Sequence, residues 1–208
     1  MKTQTLPLFA SYLTAIDLDY NPQELKNQPI KFQSTHGRSE NSLISCDLRV
    51  LEKYPKTKKV LLDAFKTVAQ NLDYDNDFKI TTSWFTAAER NQKSHQHSHK
   101  NSFYSGIYYF DKYTDNCGIL KIISPVLQLS DFNIIPLHTT IKNCGNWEIT
   151  PRHNLVVFFP SYLQHYIDNH NDDMTRYSLA FNIVPTGEYG LADSAYNIAW
   201  VKQINTHR

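Results

Sequence analysis

Lys79-Ile80-Thr81-Thr82-Ser83-Trp84-Phe85 is the first of a series of short runs that decide the fold. It is rich in β-branched and aromatic residues, which suit a pleated, half-buried surface. Similar runs follow at 103–110, 118–123, 134–141, 146–149, 155–159, 165–167 and 177–184. Turn-forming residues separate them: Asp115-Asn116, Asn143 and Gly145, Pro151, Asn169 to Asp173, and Pro185-Thr186-Gly187. Many short strands at regular spacing predict an antiparallel barrel or a double-sheet jelly roll. No helical pattern alternates with them, which disfavours a parallel doubly wound sheet. The fold class is therefore mainly β, with residues 78–187 as the core.

Residues 1–77 read as a helical and irregular lead-in. The stretch from Leu6 to Leu13, interrupted by Pro7 and Ser11 and followed by Asp17-Leu18-Asp19, reads as a first strand and loop and not as a secretion signal. Asn21-Pro22-Gln23-Glu24 has the chemistry of a short helix start, with Glu24 at the capping-box position. A stronger helix is predicted over 57–72. Leu61, Phe65, Val68 and Leu72 recur at helical spacing and form one apolar stripe, which predicts packing on the outside of a sheet. Asp73-Tyr74-Asp75-Asn76-Asp77 then ends the pattern. Residues 188–208 read as a mixed tail that packs as a final helix or strand. The 208 residues suit a single domain.

The bulk composition excludes more than it assigns. The 21 basic and 20 acidic residues nearly cancel, so neither nucleic acid nor an anionic membrane is indicated as a partner. No run approaches the roughly 20 apolar residues of a membrane span. Cys46, Cys117 and Cys144 are odd in number and far apart, which argues for free thiols in a reducing, cytoplasmic setting.

The candidate chemistry lies in His95-Gln96-His97-Ser98-His99, in His165 and in Arg176. Residues i and i+2 of a strand point to one face, so His97 and His99, or His95 and His97, can present two imidazoles to one metal ion. His165 can close the set from a separate strand. Imidazole suits iron, zinc, copper and nickel alike, so ligand type leaves the metal open. A solvated His-rich loop is the bland alternative. Arg176 opens a strand on which Arg176, Ser178, Ala180 and Asn182 share one face, as a ligand-lined barrel interior requires. Arginine is suited to gripping a carboxylate bidentately. A surface arginine on an edge strand is the alternative there.

Taken together, these residues resemble the Fe(II)/2-oxoglutarate-dependent oxygenases, and within them a group of phage and bacterial oxygenases. The resemblance rests on Ser83-Trp84-Phe85, His97-Ser98-His99, Ser105-Gly106-Ile107-Tyr108-Tyr109, Phe159-Pro160-Ser161-Tyr162-Leu163-Gln164-His165 and the strand from Arg176 to Asn182. It extends to Leu8-Phe9 and the helix around Phe65. It implies a double-stranded β-helix (jelly-roll) barrel with N-terminal helices packed outside. It implies Fe(II) held by His97, His99 and His165, with 2-oxoglutarate and O2 as co-substrates. Arg176 clamps the distal carboxylate, and Ser178 adds a hydrogen bond. Tyr108 and Tyr109 lie on opposite faces of one strand, and one of them enters the barrel; Tyr109 is the candidate for the co-substrate. Asn101 and Ser102 are candidates for the substrate mouth. The implied activity is oxidative decarboxylation of 2-oxoglutarate coupled to hydroxylation of an unknown substrate. A homodimer is compatible with it, and a phage origin would place the protein in an infected host cell.

The chain departs from the superfamily at three places. His99 stands where Asp or Glu is usual, and no Asp or Glu lies between Arg90 and Asp111, so either His99 ligates in a three-His site or water fills that position. His153-Asn154 replaces the usual Gly before the penultimate strand, where Asn tolerates positive φ. Tyr162 replaces a Trp. Two rival readings remain: a cupin-like metal-binding β-barrel that does not use 2-oxoglutarate, and a non-enzymatic jelly-roll module. Cupins normally add a Glu shortly after the His pair, and residues 100–104 contain none.

Overall fold

A computed structural model of the protein describes residues 2–4, 6, 9–25, 30–35, 40–126 and 135–197. In chain order the strands are β1 (Thr14–Asp17), β2 (Phe32–Ser34), β3 (Leu43–Ser45), β4 (Asp77–Ala88), β5 (Tyr104–Tyr109), β6 (Leu120–Ile123), β7 (Asn146–Ile149), β8 (Leu155–Pro160), β9 (His165–Ile167) and β10 (Arg176–Thr186). A two-stranded ribbon of β11 (Glu188–Tyr189) and β12 (Tyr196–Asn197) follows. The seven-stranded sheet runs β1-β8-β5-β10-β4-β3-β2, and the three-stranded sheet runs β7-β6-β9. All of their pairings are antiparallel.

Period-two alternation sorts the side chains of the larger sheet into two layers. Tyr104, Tyr108, Val156, Phe158, Leu179, Phe181 and Ile183 join the core beneath α1 (Pro55–Asn71). Ile107, Tyr109, Leu155, Val157 and Phe159 meet Leu120, Ile122 and Ile149 of the smaller sheet. Two sheets facing each other across an inner core form the double-stranded β-helix that the strand pattern predicts. Among the described residues, one α-helix, with short 3-10 turns, lies outside it.

That helix uses the predicted stripe. Leu61, Phe65 and Val68 are buried, and Leu72 packs at the edge. Phe65 meets the rings of Phe78, Tyr104 and Phe158 at 5.0, 5.2 and 5.4 Å. Its start differs from expectation. Pro55 is the first helical residue, and Tyr54 at the N-cap provides no side-chain bond. Glu24 does so from a distance: its Oε1 accepts from the Thr57 N–H at 2.7 Å and from Thr57 Oγ1 at 2.5 Å. Residues Gln23–Leu25 form only a 3-10 turn, so Glu24 caps α1 and not a helix of its own.

Two other expectations need correcting. Residues 135–141 form no strand, and Ile135, Leu137 and Ile141 are exposed. The Asn143 side chain instead organises a turn, accepting from Thr140 N and donating to His138 O. The expected strand's first residue, Ile134, lies outside the described residues, as do Leu8 and the tail beyond 197. The first strand begins at Thr14, after the Leu6–Leu13 stretch. Asn154 does adopt positive φ, at 62°. Its side chain accepts from Tyr108 Oη and donates to Tyr20 O.

Gly106 sits opposite Phe181 in the β5–β10 pair. A Cβ there would lie 2.3 Å from the Phe181 ring, so the absent side chain is where that ring rests. Gly106→Ala is expected to destabilise the protein by about 1–3 kcal/mol through overpacking, measured by denaturant unfolding. Unchanged stability would show that the ring moves freely.

Candidate metal centre

His165 begins β9 and is held by its backbone against the histidine tract. His97 N–H donates to His165 O at 3.0 Å, and His165 N–H donates to His97 O at 2.9 Å. The tract is therefore not a regular strand, as its spacing suggests. It is an extended segment with a single antiparallel bridge, His97 to His165. His99 N–H donates to Ser161 O at 3.0 Å. This geometry converges three imidazoles. The ring centroids lie 4.4 Å (His97–His165), 5.0 Å (His97–His99) and 5.1 Å (His99–His165) apart. One ligand nitrogen from each lies within 4.8 Å of the others, so the three can hold a metal ion.

Hydrogen bonds orient two of these rings. His97 Nδ1 lies 2.7 Å from His95 O, and His165 Nδ1 lies 3.0 Å from Leu163 O. A carbonyl oxygen only accepts, so each Nδ1 carries the proton and each Nε2 keeps its lone pair for a metal. His95 contributes through its carbonyl, a role that no residue pattern signals. Burial first, and neighbouring His97 second, push the His99 pKa down to about 4 and that of His165 to about 3. Both rings are neutral at neutral pH, the form that ligates metals.

The triad opens into a cavity of about 350 Å³ inside the barrel. Trp84 and Thr86 of β4, Ser105 and Ile107 of β5, Phe159 of β8, and Arg176, Ser178 and Ala180 of β10 line it. Arg176 is 2 % exposed and makes no ion pair with any described residue. Its Nε and Nη2 are buried without a hydrogen-bond partner, and so is Tyr109 Oη. The guanidinium lies 5.8 Å from the Tyr109 ring centroid. Burial raises the Tyr109 pKa, so its O–H remains a donor. Orphaned buried donors are rare and costly. Here two of them belong to a cation and the third lies on the ring beside it, and an anionic acceptor would satisfy them. The residues present thus fit both groups that the sequence implies: a divalent metal on the histidines and a carboxylate on Arg176.

Other expected residues take different positions. Ser178 lines the cavity, but its Oγ is shared with Thr86 Oγ1 at 2.6 Å. Tyr108 points away, into the core beneath α1. Asn101 and Ser102 do not line the cavity. They line a separate groove of about 490 Å³ with Tyr12, Tyr74 and Tyr162, on which His99 also borders. Ser102 Oγ accepts from Ser161 Oγ, which also bonds Ser105 Oγ, so a hydroxyl cluster underlies the His99 anchor.

Residues 82–182 match the family described as "Putative 2OG-Fe(II) oxygenase". No curated protein matches the chain. Solved structures do. HygX from Streptomyces hygroscopicus, with nickel, 2-oxoglutarate and hygromycin B bound, is 11% identical with a TM-score of 0.57, covering 85% of this chain and 84% of its own. A prolyl hydroxylase from Trichoplax adhaerens, in complex with a hypoxia inducible factor peptide fragment, is 13% identical with a TM-score of 0.52, covering 82% of each chain. A 2OG-Fe(II) oxygenase family oxidoreductase from Burkholderia pseudomallei is 8% identical with a TM-score of 0.51, covering 76% and 73%. At these identities the structural likeness establishes the fold alone.

Proposed function

We propose that this chain, which belongs through residues 82–182 to the 2OG-Fe(II) oxygenase family, couples decarboxylation of 2-oxoglutarate to hydroxylation of a substrate. One observation carries the reading: the orphaned donors of Arg176 share a cavity with the three converging imidazoles. His97, His99 and His165 would hold Fe(II), and Arg176 would grip the distal carboxylate of 2-oxoglutarate. Bound there, iron and 2-oxoglutarate supply the oxidative chemistry, consuming O2 and releasing succinate and carbon dioxide.

The chain's own residues position and shield these groups. The reciprocal backbone bonds between His97 and His165 fix the spacing of two ligands on adjacent, paired segments. Their protonated Nδ1 atoms fix which nitrogen faces inward. Arg176 provides a planar fork that sets the orientation of a dicarboxylate. Tyr109 Oη adds a donor beside it. Ile107, Phe159 and Trp84 keep the interior poor in water, which strengthens each charge interaction there. A metal-binding barrel without 2-oxoglutarate leaves the orphaned donors unexplained.

The test is direct. Under anaerobic conditions, 2-oxoglutarate should bind the Fe(II)-loaded protein; in air, succinate should form only when both are supplied. Absence of anaerobic 2-oxoglutarate binding overturns the reading.

A further inference from the structure

The three imidazoles are not equivalent. His97 and His165 each donate Nδ1–H to the carbonyl two residues before them, and their backbones bond each other. Neither ring nitrogen of His99 has a hydrogen-bond partner among the described residues. Its backbone is held by one bond, to Ser161 O. Its ring is steadied by packing: Trp84 lies 5.5 Å away, tilted by 54°. His99 is also the one member of the triad that borders the second groove, so open space lies beside it.

We infer that His99 is an exchangeable arm of the metal site, while His97 and His165 form its fixed clamp. The inference rests on the three-histidine metal reading above. A hydrogen bond to the second nitrogen of a ligating imidazole fixes its tautomer and orientation, and losing such a partner typically costs 10–100-fold in metal affinity. His99 lacks that bond, so its contribution to affinity is smaller by that order. It can present either nitrogen, or turn toward the groove and leave a coordination position open. The superfamily's carboxylate is missing at the same position, so the site's least anchored ligand is also its unusual one.

Two measurements test this on the full chain, without catalysis. Co(II) alone, titrated by visible absorption, reads affinity and coordination. His97→Ala and His165→Ala should each weaken Co(II) binding by roughly 100-fold or more, and His99→Ala by only about 10-fold. In the metal-free wild type, ¹⁵N histidine spectra should show fixed Nδ1–H tautomers for His97 and His165 and averaging tautomers for His99. Equal losses in the three variants, or a single fixed tautomer at His99, overturn the inference. If all three variants bind Co(II) like the wild type, the metal reading itself fails. The wild-type spectra decide the matter even if a variant does not fold.

Discussion

Arg176→Met should make the unliganded protein more stable and nearly abolish its affinity for 2-oxoglutarate. These opposite signs follow from one fact. Arg176 heads the largest fully buried side chains among the described residues, and two of its nitrogens have no hydrogen-bond partner. A buried charge without a counter-ion is costly, and exchanging buried ionic groups for apolar residues of similar volume can stabilise a protein by about 1–4 kcal/mol. Methionine fills much of the same space and adapts to irregular gaps. The free protein should therefore gain about 1–3 kcal/mol, less than the upper figure because the fit is imperfect. Binding should suffer in the other direction. Truncating one side of a buried charge pair costs about 2–5 kcal/mol, so 2-oxoglutarate affinity should fall roughly 30-fold to several thousand-fold.

Ligand-induced stabilisation reads both effects in one experiment. At 100 times its Kd, 2-oxoglutarate should stabilise the Fe(II)-loaded wild type by about 2.7 kcal/mol, and the variant at the same concentration by less than about 1 kcal/mol. An arginine present only for packing behaves differently: its replacement lowers stability and leaves 2-oxoglutarate binding intact. That result would remove the carboxylate clamp from the mechanism.

How much of this was legible from sequence depends on the range of the interaction. The shared face of Arg176, Ser178, Ala180 and Asn182 follows from period-two geometry within one strand, and the cavity lining bears it out for the first three. The apolar stripe of α1 is equally local. The Ser178–Thr86 bond is not, because its partners are 92 residues apart and meet only through the β10–β4 register. Glu24 misled for the same reason. Its local spacing suits a capping box, but its carboxylate is spent on a helix 33 residues away. The stretch 134–141 has a strand's composition, but its described part, 135–141, finds no strand to pair with among the described residues. At the metal centre, the spacing of His97 and His99 was readable. The carbonyls of His95 and Leu163 that orient the rings were not, because backbone acceptors leave no mark on residue identity.

The missing carboxylate can be restored, and His99→Asp should tighten divalent metal binding about tenfold or more. Three neutral imidazoles leave the full charge of the cation inside a cavity walled by Ile107, Phe159 and Trp84. Two unit charges 4 Å apart attract by about 4 kcal/mol at an effective dielectric constant of 20, and a divalent ion doubles this. Much of that gain is offset by the cost of burying the carboxylate. The same offset gives the prediction a second arm. Without metal, an aspartate at 99 lies in a half-buried position next to His165, whose proton burial has already suppressed. The metal-free variant should therefore melt below the wild type, and the metal-induced rise in Tm should be larger. Selectivity should move as well. Imidazole favours nickel and cobalt, whereas carboxylate oxygen suits manganese, so the Mn(II)-to-Ni(II) affinity ratio should rise in the variant. Aspartate is shorter than histidine, and the backbone bond from His99 N to Ser161 O limits how far the segment can follow it. If the carboxylate falls short of the ion, affinity drops to that of His99→Ala, and the wild-type imidazole is then a geometric necessity of this backbone and not a replaceable charge choice.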